Sequence, residues 1–259
     1  MELKDVRRLS MEKGIGQKFI CKEERLTRLM TQSYLIFKEE IVLKGGTALN
    51  RGFLKDTGRF SEDIDVDIIT TDRKRTIEYL TGQMNRITGF DVRKPRLMNE
   101  TLRFDCYYRN ELEQNDRIQV EFYLGHDGLI GETGLHELHS PFLEGHNVVF
   151  RTYTLESLIA RKIVALARRE EGKDLYDLFY ALKKEYDEKK VKTTLQELCV
   201  FYEVNDIAQE ISDRFERMTR NIKYIGNSTN QYIAKDQALG WTFLLEETRR
   251  MVKQVLKGM

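Results

Sequence analysis

Proline is almost missing from this chain: Pro95 and Pro141 are the only two in 259 residues. Little therefore forbids long uninterrupted helices, because proline is the residue that most strongly breaks them. Cysteine is scarce as well. Cys21, Cys106 and Cys199 lie far apart, without the paired spacing of a zinc site or a disulfide framework. They read as reduced packing thiols of a cytosolic protein, and a cytoplasmic location is expected. No apolar run approaches the roughly 18 residues that a membrane helix needs. The first residues, M-E-L-K-D-V-R-R-L-S, are charged and have no signal-peptide core. Excess charge of one sign is lacking too: 43 basic residues face 42 acidic ones, a net of +1. That removes a global basic signature of nucleic-acid binding and leaves only a local patch open. Internal repeats and low-complexity segments are also absent.

What is present is charge in quantity. Charged residues make up 33% of the chain and apolar residues 41%, which fits a soluble, helix-rich protein with solvated faces. The length allows one large domain or two modest ones.

The stretch from Val42 to Ile69 organises the rest. A short apolar run, Ile41-Val42-Leu43, stops at Lys44-Gly45-Gly46-Thr47, and a helix-compatible segment follows over 48–54. A polar connector, 55–62, leads into a second strand-like run where Asp63, Asp65 and Asp67 alternate with Ile64, Val66 and Ile68. Successive side chains of a strand point to opposite faces, so the three aspartates share one face above buried apolar residues. Such a face is costly unless something positive sits on it. A divalent ion is the natural neutraliser, because carboxylate oxygens suit Mg²⁺ or Mn²⁺. The glycine turn permits close backbone approach, and N–H groups at a helix start favour phosphate. Together these suggest metal-assisted phosphoryl or nucleotidyl chemistry. The bland alternative is a turn followed by an ordinary half-exposed edge strand.

Elsewhere the patterning is mostly scaffold. Residues 1–39 carry an amphipathic stripe of Ile20, Leu26, Leu29, Met30, Tyr34 and Phe37, with Gly14-Ile15-Gly16 separating two helices. A helix capped by Asp72 is expected over 72–88, and strands over 90–92, 101–108 and 117–124. If the last of these lies beside the aspartate strand, Glu121 becomes a third carboxylate near the metal; otherwise it is an exposed strand glutamate. All four histidines, His126, His136, His139 and His146, fall within the Gly-rich segment 125–147. A zinc site there is weighed against a loop covering the site, and the lack of a nearby cysteine favours the loop. From Thr154 the chain reads as helical. Lys162 sits at the edge of the stripe Leu155, Leu158, Ile159, Ile163, Leu166, where a lysine can reach across apolar surface. Asp174 and Asp177 stand in the first turn of the next helix, where acids complement the helix dipole. Three further helices are expected over 190–202, 206–220 and 235–256. Arg214, Arg217, Arg220 and Lys223, with Tyr202 and Tyr224 nearby, form a ridge that suits an RNA backbone or, more commonly, a solvated helix face.

Three motifs occur in a fixed order: K-G-G-T-A-L at 44–49 with R-F-S-E-D-I-D at 59–65, T-L-E-S-L-I-A-R-K-I-V-A-L-A-R-R at 154–169, and K-D-L-Y-D-L at 173–178. In these the chain resembles the AbiEii/AbiGii-type toxin nucleotidyltransferases of the DNA polymerase β-like superfamily, over about residues 41–182. The resemblance implies a mixed α/β (α+β) fold: a small mixed nucleotidyltransferase sheet flanked by helices, then a C-terminal helical bundle. It implies a nucleotidyltransferase domain over 1–152 and a helical domain over 153–259 that contributes Lys162 and Asp174. Asp63 and Asp65 would bind Mg²⁺ or Mn²⁺ holding a nucleoside triphosphate. Lys44, Gly45, Gly46 and Thr47 would border its phosphates, with Ser61 beside the metal pair. Lys162 would contact phosphate or the transferred group, and Asp174 would complete the site. Family members usually have arginine before the last aspartate; Lys173 here keeps the charge and loses the bidentate fork. Asp67 lies outside the D-x-D pair and is expected to be a bystander. The implied reaction moves a nucleoside monophosphate to an acceptor hydroxyl, an RNA end such as a tRNA 3′ end. The implied setting is a toxin or phage-abortive-infection system with a separately encoded antitoxin and no membrane. Two other readings compete: a nucleotide-binding regulator without turnover, and an interaction module whose acidic strand is merely exposed.

Overall fold

A computed structural model describes residues 1–126 and 128–259; Asp127 and the side chain of His126 lie outside the described residues. The two expected N-terminal helices are α1 (Leu3–Lys13) and α2 (Gln17–Phe37). Gly14 ends α1 in the left-handed region, at φ 62°, where glycine carries no steric cost. Helix α2 buries Ile20, Leu26, Leu29, Met30 and Phe37 of the apolar stripe, and Tyr34 is half-buried.

Strand β1 (Ile41–Lys44) runs directly into a short helix α3 (Gly45–Leu49), which continues as a π-type turn over Asn50–Leu54. Strand β2 (Ile64–Ile69) follows the connector. The Asp72 carboxylate accepts the Arg75 backbone N–H and starts α4 (Arg73–Met84). The remaining strands are β3 (Asp91–Val92), β4 (Arg96–Met98), β5 (Thr101–Arg109), β6 (Asn115–His126), β7 (Thr133–His139) and β8 (Asn147–Tyr153). All eight form one mixed sheet in the order β3-β5-β6-β2-β1-β8-β7, with β4 also pairing β5. β2 is antiparallel to β1 and parallel to β6.

Two strands overturn the expected loop over 125–147. β7 and β8 form an antiparallel hairpin in register from Thr133↔Tyr153 to His139↔Asn147. β7 lies at the sheet's edge and has one buried leucine, Leu138, while Leu135 is exposed. A strand with so small an apolar face, rich in Gly and His, gives almost no period-two signal. Nor do the histidines with described side chains converge; the zinc reading at His126 lies outside the described residues. His136 packs its ring on Phe53 at 5.0 Å, and burial lowers its pKa from 6.5. His146 Nδ1 meets the Glu144 carbonyl at 3.0 Å. Among the described residues no group of three or more His, Cys, Asp or Glu gathers as a metal cage.

Five helices complete the chain: α5 (Leu155–Arg168), α6 (Gly172–Ala181), α7 (Glu188–Phe201), α8 (Ile207–Thr229) and α9 (Trp241–Leu256). Thr154 caps α5 by accepting the Ser157 N–H, and Asp206 caps α8 by accepting the Gln209 N–H. α8 runs nine residues past the expected end at Arg220, and α9 starts later than Lys235, after a short 3₁₀ turn. One hydrophobic core joins Leu43 and Val66 of the sheet to Leu158 and Ile159 of α5, Leu195 of α7 and Val252 of α9. A smaller cluster of Phe19, Phe60 and Phe142 sits beneath the N-terminal helices. Among the described residues no helix is long and apolar enough to cross a membrane.

Candidate active site

Strand register builds the site. Lys44 pairs with Asp65, Asp65 with Glu121, and Glu121 with Arg103. Paired residues project from the same face of a sheet, so these four form a row across β1, β2, β6 and β5. Behind it runs a second row, Val42, Asp67 and Tyr123. Helices α5 and α6 close over this face and leave a cleft of about 660 Å³. Lys44, Gly45, Gly46, Ser61, Asp63, Asp65, Glu121, Lys162 and Asp174 all line it. Thr47 is the one expected site residue outside the lining. It is buried, and its Oγ1 donates to the Asp63 carbonyl at 2.5 Å and lies 2.9 Å from Ser61 Oγ, tying the glycine turn to the start of β2.

The turn requires glycine. Gly45 has φ 73°, and a Cβ there would sit 2.6 Å from Asp65 Oδ2. At Gly46 a Cβ would meet Arg59 Nη2 at 2.7 Å and Ser61 Oγ at 3.0 Å.

The two carboxylates of the D-x-D pair are held where ionisation is unfavourable. Burial, then Asp65, Glu62 and Glu121, pushes Asp63 up to about 6. Burial and Glu121 also raise Asp65, against the pull of Lys44, Lys162 and Arg169. Two crowded hard-oxygen donors whose charges repel fit a divalent cation, which relieves both terms. Glu121 faces Asp65 in register but is bound by Arg103 at 2.5 Å.

Asp67 is neither exposed nor idle. It is fully buried, 2.5 Å from Lys44 Nζ and 3.5 Å from Arg161, and it accepts the Tyr153 hydroxyl at 2.7 Å. Lys44 Nζ also stands 4.5 Å from the centre of the Tyr123 ring, and Arg161 stacks on Tyr153 at 3.8 Å. Its face is as expected, but on that face it is the anchor of two cleft cations.

On the helical side, Lys162 is buried with its ammonium 2.7 Å from both Asp174 and Asp177. Arg169 donates to Asp174 at 2.6 and 3.1 Å. Arg59 donates to Asp177 at 2.9 and 2.7 Å, and Asn50 adds a third hydrogen bond there at 3.0 Å. Burial alone would raise both aspartates; Lys162 with Arg169 holds Asp174 well below its usual range, and Arg59 with Lys162 lowers Asp177. For Lys162 burial is the largest effect and lowers its pKa, but Asp174 and Asp177 outweigh it and the net shift is upward. Asp174 does stand in the first turn of α6, where the dipole favours an acid, whereas Asp177 lies beyond it; both are fully buried and neutralised by side chains. Arg59, Asp177 and Arg169 join the site unforeseen. The available signal was two carboxylates inside an apolar run, D-L-Y-D-L-F-Y, which need buried cations as partners.

Lys173 lines the cleft 3.5 Å from Glu62 and 3.8 Å from the Tyr232 ring centre. The expected ridge on α8 divides. Arg214 turns inward to the Ala167 carbonyl and Glu170, whereas Arg217, Arg220 and Lys223 are exposed. Tyr202 leaves that group altogether and lines the cleft.

Residues 28–254 match the family described as nucleotidyl transferase AbiEii toxin, type IV TA system. The chain belongs to this family. It is therefore a nucleotidyltransferase of the toxin class found in type IV toxin–antitoxin systems. Its fold is that of MenT4, a nucleotidyltransferase toxin from Mycobacterium tuberculosis H37Rv, with a TM-score of 0.74 at 16% identity over 99% of this chain and 90% of that one. An antigenic nucleotidyltransferase-like protein from Paracoccidioides brasiliensis is a distant likeness, at TM-score 0.47 and 15% identity over 74% of this chain and 92% of that one. No curated protein matches the chain.

Proposed function

We propose that this AbiEii-family chain is a metal-dependent enzyme that moves a nucleoside monophosphate from a nucleoside triphosphate to the 3′ hydroxyl of an RNA, the tRNA end being the acceptor. The observation that carries the reading is the carboxylate pair Asp63–Asp65 pressed against the Gly45–Gly46 turn. Burial and mutual repulsion raise the pair's proton affinity, a cost that a divalent cation would relieve, directly beside a backbone that admits phosphate. The acceptor oxygen attacks the α-phosphorus as the bond to the β-phosphate breaks, and pyrophosphate leaves. A divalent ion, when bound by Asp63 and Asp65, supplies Lewis-acid stabilisation of the entering and leaving oxygens.

The chain's own residues orient and neutralise. Gly45 and Gly46 let the phosphates approach, with Lys44 and Ser61 beside them. Lys162 is the buried centre of a charged set, and Arg59 and Arg169, bound to the same aspartates, carry positive charge to the cleft wall. Residues 1–152 supply the carboxylates, and residues 153–259 supply Lys162 and Asp174. A cytoplasmic location and restraint by a separately encoded antitoxin complete the proposal.

Incubation with α-labelled nucleoside triphosphates, Mg²⁺ and total RNA tests it. Label should appear on RNA and be lost with Mg²⁺ chelated, or in Asp63→Ala and Asp65→Ala. Unlabelled RNA with all four nucleotides would defeat the proposal.

A further inference from the structure

The cleft has two sides. On one, Gly46 abuts Arg59 and Ser61, and the glycine turn reserves this side for phosphates. On the other, beyond β2 and Asp65, β6 and β5 carry Glu121 and Arg103; Tyr202 and Arg168 line the same cleft where α7 meets α5, and both act on the Tyr123 hydroxyl of β6. Most cleft cations are committed to carboxylates: Lys44 to Asp67, Arg103 to Glu121, and Arg59 to Asp177. Arg168 differs. It is exposed, and among the described residues it has no ion-pair partner. Its guanidinium instead lies 5.1 Å from the centre of the Tyr202 ring.

We infer that Tyr202 and Arg168 form the seat of the acceptor strand. The terminal base would stack on the Tyr202–Arg168 pair, with the edge of the guanidinium on the adjoining phosphodiester. An aromatic ring paired with a guanidinium that no carboxylate holds is a pairing that binds single-stranded nucleic acid without reading its sequence. The location fits a second substrate, because the glycine turn follows β1 whereas Tyr123, the neighbour of Tyr202 and Arg168, stands on β6 with β2 and Asp65 between the two strands. Neither the glycine turn nor the D-x-D pair assigns these residues a role. The inference rests on the proposed RNA acceptor, so binding and turnover are measured apart.

A fluorescein-labelled single-stranded oligoribonucleotide with a free 3′ hydroxyl is titrated against full-length Asp65→Asn protein by anisotropy. On that background, Tyr202→Ala should weaken binding about 5- to 150-fold, the range for losing one base stack. Tyr202→Phe keeps the ring and should restore binding. Arg168→Ala should weaken binding and reduce the magnitude of the log K against log salt slope by about 0.7, the share of one phosphate contact on a single strand. In the turnover assay Tyr202→Ala should raise KM for RNA and leave KM for the nucleotide unmoved. Melting curves confirm that each variant is folded, and exposed Arg168 gives an arm independent of packing.

Equal losses in Tyr202→Ala and Tyr202→Phe would overturn the seat, as would unchanged oligonucleotide binding or a rise confined to the nucleotide's KM. Tyr202-dependent oligonucleotide binding by a protein that labels no RNA would uphold the seat while removing the proposed acceptor.

Discussion

Removing the Asp67 carboxylate should destabilise the fold by about 3–5 kcal/mol, because Lys44 and Arg161 would be left facing each other without their shared anion. Urea unfolding of Asp67→Ala measures it, and Asp67→Asn, which keeps the Tyr153 hydrogen bond, should lose less. Loss below about 1 kcal/mol would return Asp67 to the bystander status that its place outside the D-x-D pair suggests. Asp63 predicts a pH effect of definite sign. Its pKa is raised from 3.8 to about 6, so between those values the folded, metal-free protein holds a proton that the unfolded chain has released. Stability should therefore fall as pH rises from about 4 to about 6 and level off above. Melting temperatures across that range check it, and added Mg²⁺ should stabilise only on the upper side, where the carboxylate is free to bind it. At this scale the sequence exposed the residue types and their order but not their partners. Lys162, Asp174 and Asp65 were legible because motifs carry them. Arg59 and Asp177 sat within the same motifs unread, because 118 residues of chain separate them and local spacing says nothing about a contact that distant.

Among the elements, the turn from β1 into α3 is the most constrained. Gly45→Ala would place a methyl group against Asp65 Oδ2 and hold a side chain at φ 73°. The backbone strain should cost about 1–3 kcal/mol, a modest loss for a core of this extent. The displaced carboxylate should reduce nucleotidyl transfer about 100-fold, as misplacement on the order of 1 Å commonly does. Steady-state kinetics beside a melting curve separate the two effects, and activity within a few-fold of wild type would show that Asp65 tolerates the shift. Elements with strong periodicity or capping chemistry, such as α2, α4 and α5, could be read in advance. The β7–β8 hairpin could not, since it lies at a sheet edge and spends glycine and histidine where a central strand spends valine. The π-type turn over Asn50–Leu54 falls inside the helix-compatible segment 48–54, because a change of hydrogen-bond step leaves no mark in hydrophobic spacing.

For the whole molecule, the shared core has a measurable consequence. Leu43 and Val66 pack in the same cluster as Leu158, Leu195 and Val252, so the sheet and the helices should unfold together. Calorimetry should give one transition with equal van't Hoff and calorimetric enthalpies. Two resolved transitions would instead support independent units over 1–152 and 153–259. The mixed α/β class is what the family resemblance implies, and the order of strand-like and helical stretches agrees with it. The full eight-stranded extent of the sheet was not, because its edge strands are the short or apolar-poor ones.

The residues Arg59, Asp177, Lys162, Asp174 and Arg169 alternate in sign along one hydrogen-bonded line. A line that alternates and begins and ends on a guanidinium always holds one more cation than anion. Both of its ends line the cleft, and both aspartates between them are fully buried. The burial of two aspartates therefore does not cancel the site's attraction for phosphate. It divides the positive charge between two fixed guanidiniums, the buried Arg59 beside the glycine turn and the half-exposed Arg169.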